Sequence, residues 1–177
     1  MSVGNRGTGG FQAGRPGPTG GPGGGQRPPG PPPTPFPRPS DADLRAIVED
    51  GDAERLVMTA ENVGKALARP PDRRDLLTTS QIRGVFGAVR EIEMNWPTDA
   101  AQGADAQIRI RRCHRQLLPL KPKLAYQARR LPGRGVDNLR QVIDPAIGLV
   151  GQDRERFQNF VDFFEAILAY HRAHGGQ

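Results

Sequence analysis

FQNFVDFFEAILAYH, residues 157–171, is the strongest apolar signal in the chain and the stretch that decides its fold. Its apolar side chains recur at steps of three and four residues, which is the spacing of one face of an α-helix. Phe163 and Tyr170 widen that face, so the helix is apolar over more than half of its circumference. A helix of this kind is buried on most sides. The stretch therefore predicts a central helix around which the other elements pack.

The segments before this helix show the same helical spacing. Ser40 is placed to cap the first of them, Thr78 and Gln81 form the capping-box pattern before a later one, and Pro70 and Pro71 end the helix between. The apolar positions are Leu44, Ile47 and Val48; Ala53, Leu56, Val57, Ala60, Val63 and Leu67; Ile82, Val85, Phe86, Val89 and Ile92; and Val136, Leu139, Val142, Ile143, Ile147 and Val150. No stretch shows sustained two-residue alternation. The sequence predicts an all-α fold, a compact bundle of five to seven helices.

Residues 1–39 differ from the rest of the chain in composition. Gly or Pro occupies most positions, and Phe11 and Phe36 are the only large apolar side chains besides Met1 and Val3. Such a segment cannot bury enough surface to offset the entropy lost on ordering, so we expect a disordered Gly/Pro-rich tail before a helical domain at residues 40–177. Its arginines are compatible with weak contacts to nucleic acid or with a purely solubilising role.

Charge is segregated along the chain. Residues 106–136 contain 9 Lys and Arg and no acid, and the first 40 residues contain 4 Arg and no acid. Of the 25 basic residues, 12 are therefore left to stand against all 19 acids, so the remaining segments carry a net charge of −7. A basic segment free of acids is typical of a surface that binds a polyanion.

Residues 106–131 place this charge on one side of two consecutive helices, broken by Pro119 and Pro122. One apolar stripe is Ala106, Ile110, Cys113 and Leu117, and the other is Leu120, Leu124, Ala128 and Leu131. Facing away from these stripes lie Arg109, Arg111, Arg112 and Arg115 in the first helix and Lys123, Tyr126, Arg129 and Arg130 in the second. Each helix is thus expected to bury one side and to present positive charge on the other.

Two aromatic residues, Trp96 and Tyr126, are candidates for stacking on nucleic-acid bases. For Trp96, at the end of a helix, covering the end of the bundle explains the residue better than stacking does. For Tyr126, packing is also the preferred interpretation. A plain solvated charged face remains the alternative for the whole basic stretch, and Arg83 and Arg129 could instead bond helix ends or acids within the fold.

No motif in the sequence indicates catalysis or a cofactor. The phosphate-binding loop pattern GxxxxGK[ST] is absent, and the glycines of the tail precede no helix at the required distance. His171 and His174 are three residues apart, but no further ligand stands beside them at helical spacing, so we expect no metal site. Glu165 is best explained as the partner of a basic side chain. We therefore expect a protein that is not an enzyme and has no cofactor.

Compartment and membrane association are also constrained. The single cysteine, Cys113, rules out an internal disulfide framework and suits a reducing compartment. No apolar run approaches the ~20 residues that a membrane span requires, and the chain does not open with a secretory signal. The expected location is the cytoplasm.

Three ordered blocks resemble a known family: LTTSQIR (77–83), LKPKLAYQAR (120–129) and FVDFFEAILAYH (160–171). Together, over about residues 42–173, they are similar to the small subunit of the type III-A CRISPR effector, the Csm complex. The resemblance implies a compact helical subunit without catalytic activity, with several copies stacked in a filament along RRM-like backbone subunits. Guide RNA, target RNA and the large subunit are its other implied partners, and no membrane is involved. The Gly/Pro tail departs from the family pattern.

The resemblance and the helix geometry together predict the RNA contacts. Matching family blocks suggest Arg83, Lys121, Lys123, Arg129 and Arg130, whereas helix geometry alone suggests Arg109, Arg112 and Arg115. The expected contacts are to phosphates, because base pairing supplies the sequence in guided systems. The other hypothesis is a helical adaptor whose basic face binds an acidic protein.

Overall fold

The computed structural model describes residues 35–97 and 103–177 and is built from helices. Seven α-helices occur in these residues, within the predicted range of five to seven, and the described part contains no strand. They are α1 (Asp41–Val48), α2 (Ala53–Ala68), α3 (Thr79–Asn95), α4 (Ala104–Leu117), α5 (Leu120–Arg130), α6 (Gly135–Val150) and α7 (Arg154–Ala173). A short 3-10 turn, Arg73–Asp75, precedes α3. The all-α prediction is confirmed.

The predicted tail lies mostly outside the described residues, as does the loop before α4. Its last residues, from 35 onward, are described and form no helix. Phe36 packs partly buried against the core, and Pro39 is buried just before Ser40. Packing of the domain thus begins a few residues before the predicted boundary at residue 40.

The predicted capping box at Thr78 is present, and Ser40, predicted as an N-cap, also takes part in a capping box. Ser40 accepts a hydrogen bond from the Asp43 backbone N–H at 3.1 Å, and the Asp43 side chain accepts one from the Ser40 N–H at 3.2 Å. At the start of α3, the Thr78 N–H donates to Gln81 Oε1 at 2.9 Å, and the Gln81 N–H donates to Thr78 Oγ1 at 3.3 Å. Each box satisfies two backbone donors that a helix start leaves unpaired.

The last helix is the centre of the core, as its sequence predicts. The four phenylalanines of α7 are fully buried, and the helix packs against α1, α2, α3 and α6. Trp96 stacks on Phe157 with ring centroids 4.2 Å apart, so it covers the end of the bundle. Phe86 of α3 meets Phe164 edge to face at 5.4 Å. Offset and edge-to-face contacts of this kind add to the stabilisation from burial.

Helix α2 departs from its predicted core pattern at Ala53 and Val57, which are both exposed. Ala60 and Leu67 are buried on the helix that packs most extensively against α7, but Val57 is 46% exposed, next to Met58 at 64%. Val57 lies on the same side of the helix as Ala60, one turn nearer the start. The fully buried face of α2 therefore begins at Ala60, with Leu56 only partly buried before it.

Candidate nucleic-acid interface

Helix α4 presents arginines on the side opposite its buried stripe. Ala106, Cys113 and Leu117 are buried, and Ile110 packs partly buried against the same core. The exposed side carries Arg109, Arg111, Arg112 and Arg115. The division between the two faces follows the predicted spacing, because positions three and four apart lie on one side of a helix.

Helix α5 follows α4 after a break of two residues, Leu118 and Pro119. The first helix ends at Leu117, and Pro119 occupies the position before the next begins. Pro122 lies in the first turn of α5, where its missing N–H would have had no partner within the helix. The predicted division into two helices is confirmed.

The outer face of α5 carries cations around an aromatic ring. Lys123, Arg129 and Arg130 are exposed, whereas Leu120 and Leu124 on the other face are buried. Tyr126 is 65% exposed, so the prediction that it packs in the fold is wrong. Its position on the exposed side of a short helix leaves no neighbouring element to cover it.

Lys121 is placed differently from the other predicted contacts. It is half-buried against α6, and its Nζ lies 3.7 Å from the point where a Cβ on Gly148 would stand. Burial raises the pKa of Asp144 on the same helix, and the charges of Arg140 and Lys121 oppose that rise. The positive charge of Lys121 thus helps to stabilise the negative charge of the half-buried Asp144 carboxylate within the fold.

Several arginines outside α4 and α5 are paired with acids. The described ion pairs are Arg55–Asp43, Arg74–Asp72, Arg90–Glu93, Arg90–Glu165, Arg134–Asp75, Arg140–Asp137, Arg140–Asp144 and Arg156–Glu49. The Arg90–Glu165 contact, at 3.0 Å, confirms the expected structural role of Glu165.

The predicted RNA contacts behave differently from these pairs. Lys121 apart, no ion pair or side-chain hydrogen bond within the described residues involves Arg83, Arg109, Arg112, Arg115, Lys123, Arg129 or Arg130. Unpaired, exposed cations keep their full attraction for an external anion, since no acid neutralises them. The exposed faces of α4 and α5 therefore carry an excess of positive charge.

The predicted residues fall into separate groups on the surface. Arg115 and Lys123 line one depression with Glu91, where α3 meets the junction of α4 and α5. Arg129 lines a second one, between α5 and α6. Arg83 lines a third, between α3 and α7, and shares it with none of the other predicted residues.

Three further arginines line these depressions and were not among the predicted RNA contacts. Arg134 and Arg140 stand beside Arg129, and Arg172 stands beside Arg83. Arg134 and Arg140 are also held by acids, Asp75 in the first case. Nothing local in the sequence pairs Arg83 with Arg172, because their proximity depends on how α3 packs against α7.

Cys113 and His171 are buried, and burial disfavours the charged form of each side chain. Burial raises the pKa of the Cys113 thiol, against the opposing charges of Arg112 and Arg109, so the thiol is protonated at neutral pH. His171 Nε2 donates to the Leu77 carbonyl oxygen at 2.9 Å, and burial lowers the pKa of its ring. No cluster of three or more metal-ligating side chains occurs in the described residues, and none of the described helices is long and apolar enough to span a membrane.

We expect His171 to make stability fall on acidification. Its folded-state pKa lies below the ordinary value of 6.5, so the unfolded chain binds the proton more tightly and stability is lost as pH drops below that value. Denaturant unfolding at about pH 7 and about pH 5 should show a smaller loss for His171→Gln than for the native chain. His114→Gln, on α4, is the control. Equal pH slopes in the native chain and His171→Gln would contradict this prediction.

Comparisons with known proteins support the resemblance noted in the sequence. The model of the Csm2 Type III-A family matches residues 50–177, which is most of the chain and all of α3 to α7. Comparisons with curated proteins and with solved structures gave no significant match. The matched region includes both basic helices and the central helix α7. The chain belongs to the Csm2 Type III-A family.

Proposed function

We propose that this protein is a non-catalytic, RNA-binding structural subunit of a type III-A CRISPR interference complex. Family membership supports the structural place in the complex. In that place, the subunit contacts the guide and target RNA through the phosphate backbone and without sequence specificity. Several copies stack beside RRM-like backbone subunits and the large subunit, and the compartment is the cytoplasm.

One observation carries the RNA-binding part: two consecutive helices expose cations that no acid of the described residues pairs. The helices α4 and α5 contain a single acid, Asp105, which lies in the first turn of α4, away from α5. Elsewhere on the domain, arginines are repeatedly neutralised by carboxylates within 4 Å. Phosphate contacts position a protein on nucleic acid without reading its sequence. A row of unpaired Lys and Arg is suited to that task.

Stacked copies would strengthen a weak individual contact. When several modules are linked, the second binding event takes place at a high effective concentration, so small contacts multiply. We therefore expect modest RNA affinity for the isolated chain and a much higher affinity in the assembled complex.

The proposal is tested by RNA binding across a salt series, with the full chain alone and in the assembled complex. The logarithm of the binding constant should fall with the logarithm of salt at about −0.7 per phosphate contacted on a single strand. We expect the variant Lys123→Glu/Arg129→Glu/Arg130→Glu to bind on the order of 100-fold more weakly, with a flatter salt dependence.

A variant with the same net charge separates local contact from overall charge. Arg45, Lys65 and Arg73 are exposed on α1, α2 and the 3-10 turn, and their reversal to Glu changes the charge equally. This control should lose much less affinity than the α5 variant. Equal losses in both would mean that RNA responds only to net charge, and salt-independent binding would refute contact with phosphates.

A helical adaptor for an acidic protein is the second candidate. The observation in its favour is that apolar side chains are exposed beside the cations, Ile108 at 54% and Leu118 at 40%. If the α5 reversal removed a protein partner from the complex and left RNA affinity unchanged, the adaptor function would be the correct one.

A further inference from the structure

Tyr126 is the only exposed aromatic residue in the described part of the chain. Phe36, Phe86 and Tyr170 are partly buried, and the other described aromatic rings lie in the core. Tyr126 takes part in no ring stacking and no hydrogen bond within the described residues. The packing of this domain thus makes no use of the ring.

The cations of α5 surround this ring. At about 100° per residue, Lys123, Tyr126, Arg129 and Arg130 fall within an arc of about 120°, with Tyr126 at its middle. Along the helix axis, the Cα of Lys123 lies about 4.5 Å before that of Tyr126, and the Cα of Arg130 lies about 6 Å after it. Both flanking cations are exposed, and no described acid pairs with either.

The ring has no obvious use on a surface that reads only the backbone of a duplex. In a duplex, each base is already stacked on its neighbours, and the phosphates face outward. An unpaired base has a free face, and an aromatic side chain provides a platform for it. Stacking of this kind accepts any base, because each has a π-face. It is therefore compatible with binding that ignores sequence.

We propose that Tyr126 stacks on an unpaired base of the bound RNA, with Lys123 and Arg130 contacting the phosphates on either side of that nucleotide. This inference rests on the proposed RNA-binding function and deepens it. It assigns α5 to a single-stranded or locally unpaired nucleotide rather than to continuous duplex. The cations supply attraction and salt dependence, and the ring supplies the preference for an unpaired base.

The test compares Tyr126→Ala, Tyr126→Phe and Met58→Ala with the native full-length chain. Each is measured for binding to a labelled single-stranded RNA and to a fully paired duplex of the same length. Met58, on α2, is 64% exposed, so its truncation removes a similarly exposed apolar side chain away from the cations. Tyr126→Phe keeps the ring and removes only the hydroxyl.

We expect Tyr126→Ala to weaken single-strand binding on the order of tenfold and duplex binding by less than about twofold. Tyr126→Phe and Met58→Ala should bind like the native chain. The salt dependence of Tyr126→Ala should remain that of the native chain, because no phosphate contact is lost.

Three results would overturn the inference and leave the proposed function intact. Unchanged single-strand affinity of Tyr126→Ala, with salt-dependent binding preserved, would show that the ring does not stack. Equal losses on single strand and duplex would show that the ring only positions the cations. Loss of a protein partner with RNA binding unchanged would place the ring at a protein interface instead. If the native chain bound no RNA, alone or in the complex, the proposed function itself would fail.

Discussion

Replacing Gly133 with alanine is expected to destabilise the protein by about 4 kcal/mol, because the position is both strained and crowded. Gly133 lies in the turn between α5 and α6 with φ of +80°, where a side chain costs about 1–3 kcal/mol. An added Cβ would also overlap the carbonyl oxygen of Arg74, which belongs to the backbone and cannot rotate away. Denaturant unfolding measures the loss of unfolding free energy, and the midpoint of thermal unfolding should lie roughly 10 °C lower than in the native chain.

Gly151 provides the matched control. It also has a positive φ, +60°, but a Cβ there would meet no atom within 4 Å. Gly151→Ala should therefore show the backbone strain alone, about 1–2 kcal/mol. If Gly133→Ala cost no more than Gly151→Ala, the close approach of the turn to Arg74 would have no energetic importance.

The crowding at Gly133 connects the fold to the basic surface. The turn is fixed to the 3-10 segment through buried Asp75, which accepts the Arg134 backbone N–H at 2.8 Å and the Arg134 guanidinium Nε–H at 3.1 Å. Gly135 approaches the same segment, since a Cβ there would lie 2.7 Å from the Asp75 carbonyl oxygen. These contacts hold the C-terminal end of α5, and with it Arg129 and Arg130, against the rest of the domain.

Helices and their buried faces were accessible from sequence because they depend on local spacing. The period of three and four residues identified the core stripes of α3, α4, α5 and α7, and the prolines located the break between α4 and α5. The N-cap at Ser40 and the capping box at Thr78 could be recognised because each depends on residues within one turn of the helix start. The 3-10 turn was missed because three residues carry no periodic signal.

Relations between helices could not be obtained in the same way. Lys121 and Tyr126 both lie on α5, yet one is directed toward Asp144 on α6 and the other toward solvent. That difference depends on where α6 packs, and the sequence of α5 alone does not show the position of α6. The closeness of Arg83 and Arg172 likewise depends on the contact of α3 with α7. The sequence therefore predicts which residues make up the basic surface, but not how the fold divides them into separate groups.

Gly64→Ala is the second substitution with a large expected effect, a loss of about 3 kcal/mol. Helix α2 packs more extensively against α7 than any other pair of helices in the described residues, and Gly64 lies buried in that contact. An added Cβ would stand 2.7 Å from Tyr170 Cβ, 2.8 Å from the His171 backbone nitrogen and 2.9 Å from the Ile167 carbonyl oxygen. None of these atoms is the end of a flexible side chain, so the two helices must move apart.

The same substitution on the exposed side of α3 should have the opposite sign. Gly84 lies inside that helix, and a Cβ there meets nothing within 4 Å. Alanine should stabilise the helix by about 0.5–1 kcal/mol, since glycine loses more backbone entropy on folding. Denaturant unfolding of both variants beside the native chain measures the contrast, about 4 kcal/mol between them. Stabilisation by both would mean that α2 and α7 are less closely packed at Gly64 than their backbones imply, because helix propensity alone would then decide the result.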